Sequence, residues 1–201
     1  CDSRQVEQDS AFVCIKGHKA DGHDHAKGAL AKGAACIVCE QDLGLPNQII
    51  VQCTRYVYAV MCSNFNGNPS RNLKLVGITG TNGKTTTTML STAIIAEAGK
   101  SVVAAGNVGP NALGELEKHR QVGTLPDFWV LELSSFQLET TESLHCDSAA
   151  LLNITEDHID WHGSMEKYAA AKRKIFSADT VRVLNREDPG SMLSAEGVPS
   201  D

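Results

Sequence analysis

Residues 73–87 read LKLVGITGTNGKTTT, an apolar strand pattern that runs through a glycine-rich turn into a threonine-rich helical pattern. Glycines let the backbone curl so that its N–H groups face an anion, and the N-terminus of the following helix adds the positive end of its dipole. We therefore predict a phosphate loop in which Lys84 bridges the β- and γ-phosphates of ATP and the Thr85 hydroxyl binds Mg²⁺. The general phosphate-loop pattern has a glycine at the position of Ile78, so this segment departs from it. The alternative is a simple glycine-rich turn, and the strand–loop–helix context favours the phosphate loop. The predicted nucleotide-contacting residues of the loop are Gly80, Thr81, Asn82, Gly83, Lys84, Thr85 and Thr86.

The rest of the chain alternates short β-branched or apolar runs with helical patterns, which predicts a parallel α/β architecture. A cluster of turn residues at Asn66–Ser70 predicts a boundary between a small α/β domain, residues 1–72, and a P-loop parallel-sheet ATPase domain, residues 73–201. The predicted strands are Ala11–Ile15, Ala35–Cys39, Ile49–Val51, Leu73–Thr79, Ser101–Ala105, Phe128–Leu133, Ala149–Asn153 and Val181–Asn185. The predicted helices are Asp24–Lys32, Val57–Phe65, Thr85–Ala98 before Gly99, and Met165–Ser177, capped by Ser164 with solvated lysines along it.

The composition describes a globular protein: 201 residues, with 42% hydrophobic and 21% charged, are enough for the core of one or two domains. The net charge of −6 and the scattered Lys and Arg residues argue against a nucleic-acid partner. No apolar run is long enough to span a bilayer, which predicts no membrane insertion. The expected location is cytoplasmic, as the cysteine usage indicates. The seven cysteines are typical of small buried residues in a reducing compartment. Cys36 and Cys39 lie three apart on a predicted strand, where they point to opposite faces and make a poor metal pair.

Carboxylates and histidines follow two of the predicted strands. Glu132 lies at the carboxyl end of a strand, where ligands bind in an open parallel sheet. It could be a solvated rim residue or a Mg²⁺ ligand opposite the phosphate loop. Residues 153–163 read NITEDHIDWHG and contain two histidines and three acids. This run could be a surface turn, but the helix predicted after it favours a metal-binding loop.

The segment Gly77–Thr87 resembles the nucleotide loop of the Mur ligases, which carries the same displaced glycine. This family builds the peptide stem of bacterial peptidoglycan onto a UDP-linked sugar. Residues 153–163 resemble the family's Asp-His-x-Asp motif, which implies that His158 is a ligand of a second Mg²⁺. The run Asn185–Asp188 is similar to the family's stretch near adenine and ribose, which implies ATP contacts for Asn185 and Asp188.

The resemblance also implies that Lys172 is carbamylated by CO₂, so that an anion replaces the ammonium near the metal. The metal ligands that it implies are Thr85, Glu132, His158 and the carbamylated Lys172. The catalytic residues that it implies are Lys84, Glu132, His158 and Lys172.

Different parts of the chain resemble different members of the family. An N-terminal block, residues 2–6, 15–23 and 66–70, resembles the uridine-binding domain of the tripeptide-forming members. This resemblance implies that Ser3, Arg4 and His18 lie near the uridine or its pyrophosphate. His23 and His25 are expected to be a solvated helix start. Asn107-Val108-Gly109 and Ser134-Ser135-Phe136-Gln137 resemble the D-glutamate-adding members, which implies substrate contacts for Asn107 and Ser134. A natural fusion, a divergent relative and an artificial join each explain this mixture.

The implied activity is that of an ADP-forming acid–amino-acid ligase. It adds D-glutamate to UDP-N-acetylmuramoyl-L-alanine through an acyl phosphate. One alternative is a ligase that adds diaminopimelate or lysine to UDP-N-acetylmuramoyl-L-alanyl-D-glutamate, and another is a non-catalytic nucleotide-binding fragment. A P-loop kinase or GTPase should show a kinase lid or a guanine-specificity motif, and folylpolyglutamate synthetase leaves the N-terminal block unexplained. We expect a monomer that lacks the family's amino-acid-binding domain and forms no amide by itself.

Overall fold

The computed structural model describes residues 2–17 and 20–195, and it confirms the predicted parallel α/β class. The chain divides between Phe65 and Asn66 into two compact units, and each unit is built on its own parallel sheet. Among the described residues, no helix has both the length and the apolar character needed to cross a membrane.

The first unit contains a three-stranded parallel sheet whose strands lie in chain order. The apolar side chains of Phe12, Ile37 and Cys39 are buried against the alanines of the helix that follows the first strand. The elements are β1 (Ala11–Val13), α1 (Ala26–Ala31), β2 (Cys36–Cys39), β3 (Gln48–Ile50) and α2 (Thr54–Phe65).

His23 is not part of a solvated helix start, and that prediction is wrong. Its side chain is only 6% exposed, and its Nδ1 lies 2.6 Å from a carboxylate oxygen of Asp21. Its Nε2 accepts the N–H of Glu40 at 3.0 Å, so Nδ1 is the nitrogen that donates to Asp21. The imidazole thus joins the loop after β1 to the end of β2, whereas His25 is exposed as predicted.

The second unit contains a five-stranded parallel sheet. Its strands are β4 (Leu75–Thr79), β5 (Val102–Gly106), β6 (Phe128–Glu132), β7 (Ser148–Leu151) and β8 (Val181–Leu184). Their spatial order is β5-β6-β4-β7-β8, so the strand that leads into the phosphate loop is central. In the register, Ile78 pairs with Glu132 on one side and with Ala150 on the other. Polar groups that follow β6 and β7 therefore flank the phosphate loop.

The helices cover the sheet of the second unit from both sides. The chain first passes outward from β4 to β5 and then returns across the sheet to β8, so right-handed crossovers place the first helix on one face and the later helices on the other. On the second face, Leu116 and Leu138 pack against Trp129 and Leu131. The helices are α3 (Lys84–Glu97), α4 (Ala112–Gln121), α5 (Ser135–Glu139), α6 (Ile159–His162), α7 (Met165–Arg173) and α8 (Pro189–Met192).

The predicted strands all exist, with ends that differ by at most two residues. The predicted Gly99 does follow α3, with a φ of 73°, and Ser164 does cap α7. Helix α7 ends at Arg173 rather than at Ser177, and the short helices α4, α5, α6 and α8 were not predicted. The expectation of solvated lysines along α7 is wrong for Lys172, which is 2% exposed. The expectation of buried cysteines holds for Cys14, Cys39 and Cys146 and fails for Cys53.

Candidate nucleotide and metal site

The predicted phosphate loop connects β4 to α3. Gly83 precedes α3 with a φ of 81°, a left-handed conformation that glycine adopts without strain. The first N–H groups of a helix have no acceptor within it, so those of α3 are available to an anion. Lys84 Nζ folds back and donates to the carbonyl oxygens of Gly80 and Thr81 at 3.0 and 2.8 Å. The ammonium is thus held inside the loop, where phosphate oxygens can replace the two carbonyls.

The tip of the loop is held by the end of β7. The Asn153 side chain accepts the N–H of Asn82 at 2.8 Å and donates to the Asn82 carbonyl at 3.1 Å. The Thr81 hydroxyl accepts the N–H of Thr155 at 3.0 Å and lies 3.1 Å from the Tyr168 hydroxyl. These bonds fix the loop to the segment that carries His158.

Lys172 reaches the phosphate loop from α7. Its Nζ donates to the Gly80 carbonyl at 2.8 Å, across 92 residues of sequence. The same ammonium lies 4.7 Å from the centre of the Tyr168 ring. Burial, and secondarily the charge of Lys84, lower the pKa of Lys172 to about 8. The site therefore contains a buried amine with a sizeable neutral fraction close to neutral pH.

Glu132 ends β6 and is 1% exposed. Its Oε1 accepts the side-chain N–H of Asn107 at 3.0 Å, and its Oε2 has no hydrogen-bond partner among the residues that the structure describes. Gly106 lets the two strands approach, because a Cβ there would overlap the Glu132 carbonyl oxygen. A buried carboxylate oxygen without a donor is costly unless a ligand reaches it.

His158 lies between β7 and α6 and adopts a left-handed backbone, with φ of 52° and ψ of 30°. Its side chain is 46% exposed, and its Nε2 lies 3.4 Å from a carboxylate oxygen of Asp157. Its ring centroid lies 4.8 Å from that of Phe136, the second residue of α5. The ring is therefore held largely by packing, with one edge open to solvent.

The carboxyl edge of the sheet gathers the three residues predicted beside Thr85. Glu132 ends β6, His158 follows β7, and Lys172 bonds the loop after β4. Mg²⁺ is commonly held by one or two carboxylates together with phosphate oxygens and water, and the unpaired oxygen of Glu132 fits that preference. Residues 2–17 and 20–195 contain no group of three His, Cys, Asp or Glu side chains placed to hold a metal ion unaided.

Three other predicted contact residues already have intramolecular partners. Ser134 forms a capping box with Gln137 at the start of α5. Asp188 caps α8, and its Oδ1 also accepts the N–H of Ile154 at 3.1 Å. Asn185 accepts a backbone N–H two residues further on at 3.1 Å. These contacts explain the local structure, so ligand roles for the three side chains stay predictions.

The residues predicted near uridine belong to the first unit. The Ser3 carbonyl accepts Lys32 Nζ at 2.8 Å. The guanidinium of Arg4 lies 2.8 Å from the carboxylate of Asp2, and its side chain is 87% exposed. Arg4 is thus an accessible cation, whereas the predicted His18 lies outside the described residues.

Two family descriptions match the chain. Residues 78–198 match the Mur ligase middle domain. Residues 1–72 match the description "Mur ligase family, catalytic domain". The chain belongs to the Mur ligase family.

Among curated Mur ligases, the UDP-N-acetylmuramoylalanine–D-glutamate ligase of Ralstonia nicotianae is 62% identical over 122 residues, which are 61% of this chain and 24% of that protein. The ligase of the same name from Paraburkholderia phymatum is 55% identical over 127 residues, 63% of this chain and 25% of that protein. The chain therefore spans about a quarter of the length of these relatives.

Solved Mur ligase structures match over more of the chain. A UDP-N-acetylmuramoyl-L-alanyl-D-glutamate–2,6-diaminopimelate ligase has a TM-score of 0.75 and 26% identity, covering 96% of this chain and 44% of that one. A MurF ligase from Thermotoga maritima in complex with ADP has a TM-score of 0.60 and 25% identity, covering 90% and 44%.

Reasoning from the sequence misses two residues of the candidate site. Asn153 is predicted as the end of a strand and the start of the run 153–163, but its contact with the phosphate loop is not predicted, although a polar residue directly after a buried strand beside the phosphate-loop strand is a recognisable signal. His162 had no predicted role, yet it is 7% exposed, and its Nε2 lies 3.0 Å from the Ser135 hydroxyl. No local sequence pattern predicts the contact between His162 and Ser135, because it joins two short helices that are separate in the chain.

Proposed function

We propose that the chain contributes the UDP-substrate-binding domain, residues 1–72, and the ATP-binding domain, residues 73–201, of a cytoplasmic, monomeric, ADP-forming ligase. This ligase adds D-glutamate to UDP-N-acetylmuramoyl-L-alanine in peptidoglycan biosynthesis, with ATP and Mg²⁺ and without a nucleic-acid or membrane partner. The observation that carries the nucleotide chemistry is the contact of Lys172 and Lys84 with one carbonyl of the phosphate loop, that of Gly80. The choice of D-glutamate rests on the 62% identity to a relative of that name.

The proposed reaction has two steps. A carboxylate oxygen of the substrate attacks the γ-phosphorus of ATP, the bond from that phosphorus to the bridging oxygen breaks, and ADP leaves an acyl phosphate behind. The amine of D-glutamate then attacks the acyl carbon, inorganic phosphate leaves, and the amine releases a proton as the amide forms. Both steps place negative charge on phosphoryl oxygens, which the site has to offset.

Lys84 supplies the positive charge within the phosphate loop. Its ammonium can exchange the carbonyls of Gly80 and Thr81 for β- and γ-phosphate oxygens without leaving the loop. The N–H groups at the start of α3 face the same oxygens. Bound Mg²⁺ adds further neutralisation of the phosphate charge, and Thr85, Glu132 and His158 are the residues that would hold it.

Lys172 fits the carbamylation that the family resemblance implies. Only a neutral amine attacks CO₂, and a pKa of about 8 leaves part of the Lys172 population neutral near pH 7. The ammonium first loses one proton to give the amine, and formation of the C–N bond with CO₂ releases a second, so that a buried cation would become an anion. That change would replace repulsion of Mg²⁺ by attraction beside the phosphate loop, where Lys172 bonds the Gly80 carbonyl.

A second candidate is the ligase that adds a diamino acid. It is favoured by the solved diaminopimelate ligase, which covers 96% of this chain with a TM-score of 0.75. It is disfavoured by its 26% identity, against 62% for the D-glutamate relative over 122 residues.

The test uses the complete coding sequence that contains these residues. The protein is incubated with ATP, Mg²⁺ and either UDP-N-acetylmuramoyl-L-alanine plus D-glutamate or the L-alanyl-D-glutamyl substrate plus diaminopimelate or lysine. Mass spectrometry should detect the amide from the first mixture, together with ADP. Product from the second mixture alone overturns the choice of amino acid, and nucleotide binding without product from either mixture supports the non-catalytic alternative.

A further inference from the structure

His162 is the buried histidine beside the candidate metal site that the proposed chemistry leaves without a role. It ends α6, and its Nε2 lies 3.0 Å from the hydroxyl of Ser135, which is itself 2% exposed. The His162 residue is 7% exposed, so this hydrogen bond lies in the protein interior. A neutral imidazole can exchange a hydrogen bond with a hydroxyl without placing a charge in the core.

The hydrogen bond joins two segments that both pack on His158. The Phe136 ring stacks on His162, with centroids 5.8 Å apart and planes 18° apart. The same ring touches His158 at a centroid distance of 4.8 Å. The bond to Ser135 therefore fixes the residue next to Phe136, and Phe136 forms one wall against His158.

A second wall connects the histidines to the phosphate loop. The Tyr168 ring lies 5.3 Å from His162 and 6.4 Å from His158. The Tyr168 hydroxyl lies 3.1 Å from the hydroxyl of Thr81 in the loop. His162 thus lies between the two aromatic rings that flank His158.

Aromatic packing orients the His158 ring, a role that a hydrogen bond usually has in a metal-binding histidine. A metal-binding histidine commonly donates its second ring N–H to a fixed acceptor, which sets the ring orientation. The ring partners that the structure gives His158 are the 3.4 Å contact with Asp157 and the aromatic walls. Its left-handed backbone also needs support from its surroundings.

We propose that His162 is a positioning residue, which holds Ser135 and Phe136 so that the His158 ring is presented to a Mg²⁺ ion beside the phosphate loop. This assignment rests on the proposed function, since it presupposes that His158 binds the metal. His162 itself contacts neither nucleotide nor metal in this proposal.

The experiment measures binding of the β,γ-imido analogue of ATP to the 201-residue chain by calorimetry, once with Mg²⁺ and once with EDTA. His162→Phe keeps a ring but removes the bond to Ser135, and Ser135→Ala removes the other partner of the same bond. Each should lower the Mg²⁺-dependent gain in affinity about tenfold, the size typical of lost support for a metal ligand, and leave affinity in EDTA unchanged. The double variant should lose no more than either single one. His162→Gln keeps a hydrogen-bonding group near Ser135 and should retain most of the Mg²⁺-dependent gain in affinity of the wild type.

His119→Phe is the matched control. His119 also packs edge-on against an aromatic ring, that of Trp129 at 5.7 Å, and bonds the Thr124 carbonyl at 3.0 Å. It lies on α4, and its replacement should leave the Mg²⁺-dependent gain in affinity unchanged.

Two results would overturn the positioning role. In the first, the affinities with Mg²⁺ and with EDTA fall together in both the His162 and Ser135 variants. In the second, both variants keep the wild-type affinities. If His162→Phe does not fold, Ser135→Ala alone decides. A wild-type chain without any Mg²⁺-dependent gain overturns the proposed metal chemistry and this role with it.

Discussion

Burial in the candidate site lowers the pKa of Lys172 from its ordinary value of 10.5 to about 8. It is held by one carbonyl and one aromatic face, and it lies near the ammonium of Lys84. The sequence places a lysine on a helix, and the resemblance marks it as functional. Its burial could not be predicted, because it depends on the small Ala169 and Ala171, which let α7 approach the sheet. The position of α7 against the sheet decides whether Lys172 is buried, and no local sequence pattern predicts that position.

Replacement of this lysine should change how stability depends on pH. Between about pH 8 and the ordinary lysine pKa of 10.5, the unfolded chain binds more protons than the folded chain. The free energy of unfolding therefore rises with pH over that window, by up to about 3 kcal/mol for this group. We expect Lys172→Met to remove this rise, as measured by urea denaturation at pH 7 to 10.5 in CO₂-free buffer.

Lys167→Met is the control, since Lys167 lies on the same helix and is exposed. It should keep the wild-type pH slope. Parallel slopes for the wild type and Lys172→Met would show that Lys172 retains an ordinary pKa in the folded chain.

At the level of elements, the strands were predictable and the short helices were not. Runs such as Leu75–Thr79 contain enough apolar and β-branched residues to define a buried strand. The five residues Ser135–Glu139 are too few to show a helical period. A capping signal was nevertheless present, because Ser134 and Gln137 have the spacing of a capping box. The register that sets Ile78 beside Glu132 could not be predicted, since it depends on how separate strands pair.

The approach of β5 to β6 predicts a difference between two glycines. Gly106 has a φ of +116° and no room for a Cβ beside the Glu132 carbonyl, whereas Gly123 has a φ of +73° and open space around it. Gly123→Ala should lower the free energy of unfolding by about 1 kcal/mol, from backbone strain alone. Gly106→Ala should lower it by more than about 3 kcal/mol, because overlap adds to strain. Urea denaturation measures both, and equal losses would contradict the close approach.

At the level of the whole molecule, the division into two units is the main feature. The predicted ATP and metal residues, from Gly80 to Asp188, all lie after the division at Phe65. The turn cluster at Asn66–Ser70 was visible in the sequence because glycine, proline and asparagine favour turns. The sheet order of the second unit was not visible, because periodicity reports which residues are buried and not which strands are neighbours.

The second unit should bind nucleotide by itself. Its core clusters and the hydrogen bonds that fix the phosphate loop are made within residues 66–195. We expect a 66–201 fragment to bind Mg·ATP with the affinity of the whole chain, to within about threefold, because the loop is supported locally. Calorimetry tests this, with Lys84→Ala in the same fragment as the non-binding control. A fragment that folds by circular dichroism but does not bind would show that the first unit is needed for the site.

The central position of β4 also governs how this protein can fold while it is being synthesised. β4 pairs only with β6 and β7 among the described strands, and β5 pairs only with β6. When residues 75–127 have left the ribosome, β4 and β5 are both exposed, but neither is a neighbour of the other in the sheet. The nascent second unit must keep its apolar phosphate-loop strand unpaired until Phe128–Glu132 emerges and enters between the first two strands. β4 and β5 thus gain their first native sheet partner only when β6 has left the ribosome, and native sheet pairing in this unit cannot begin earlier.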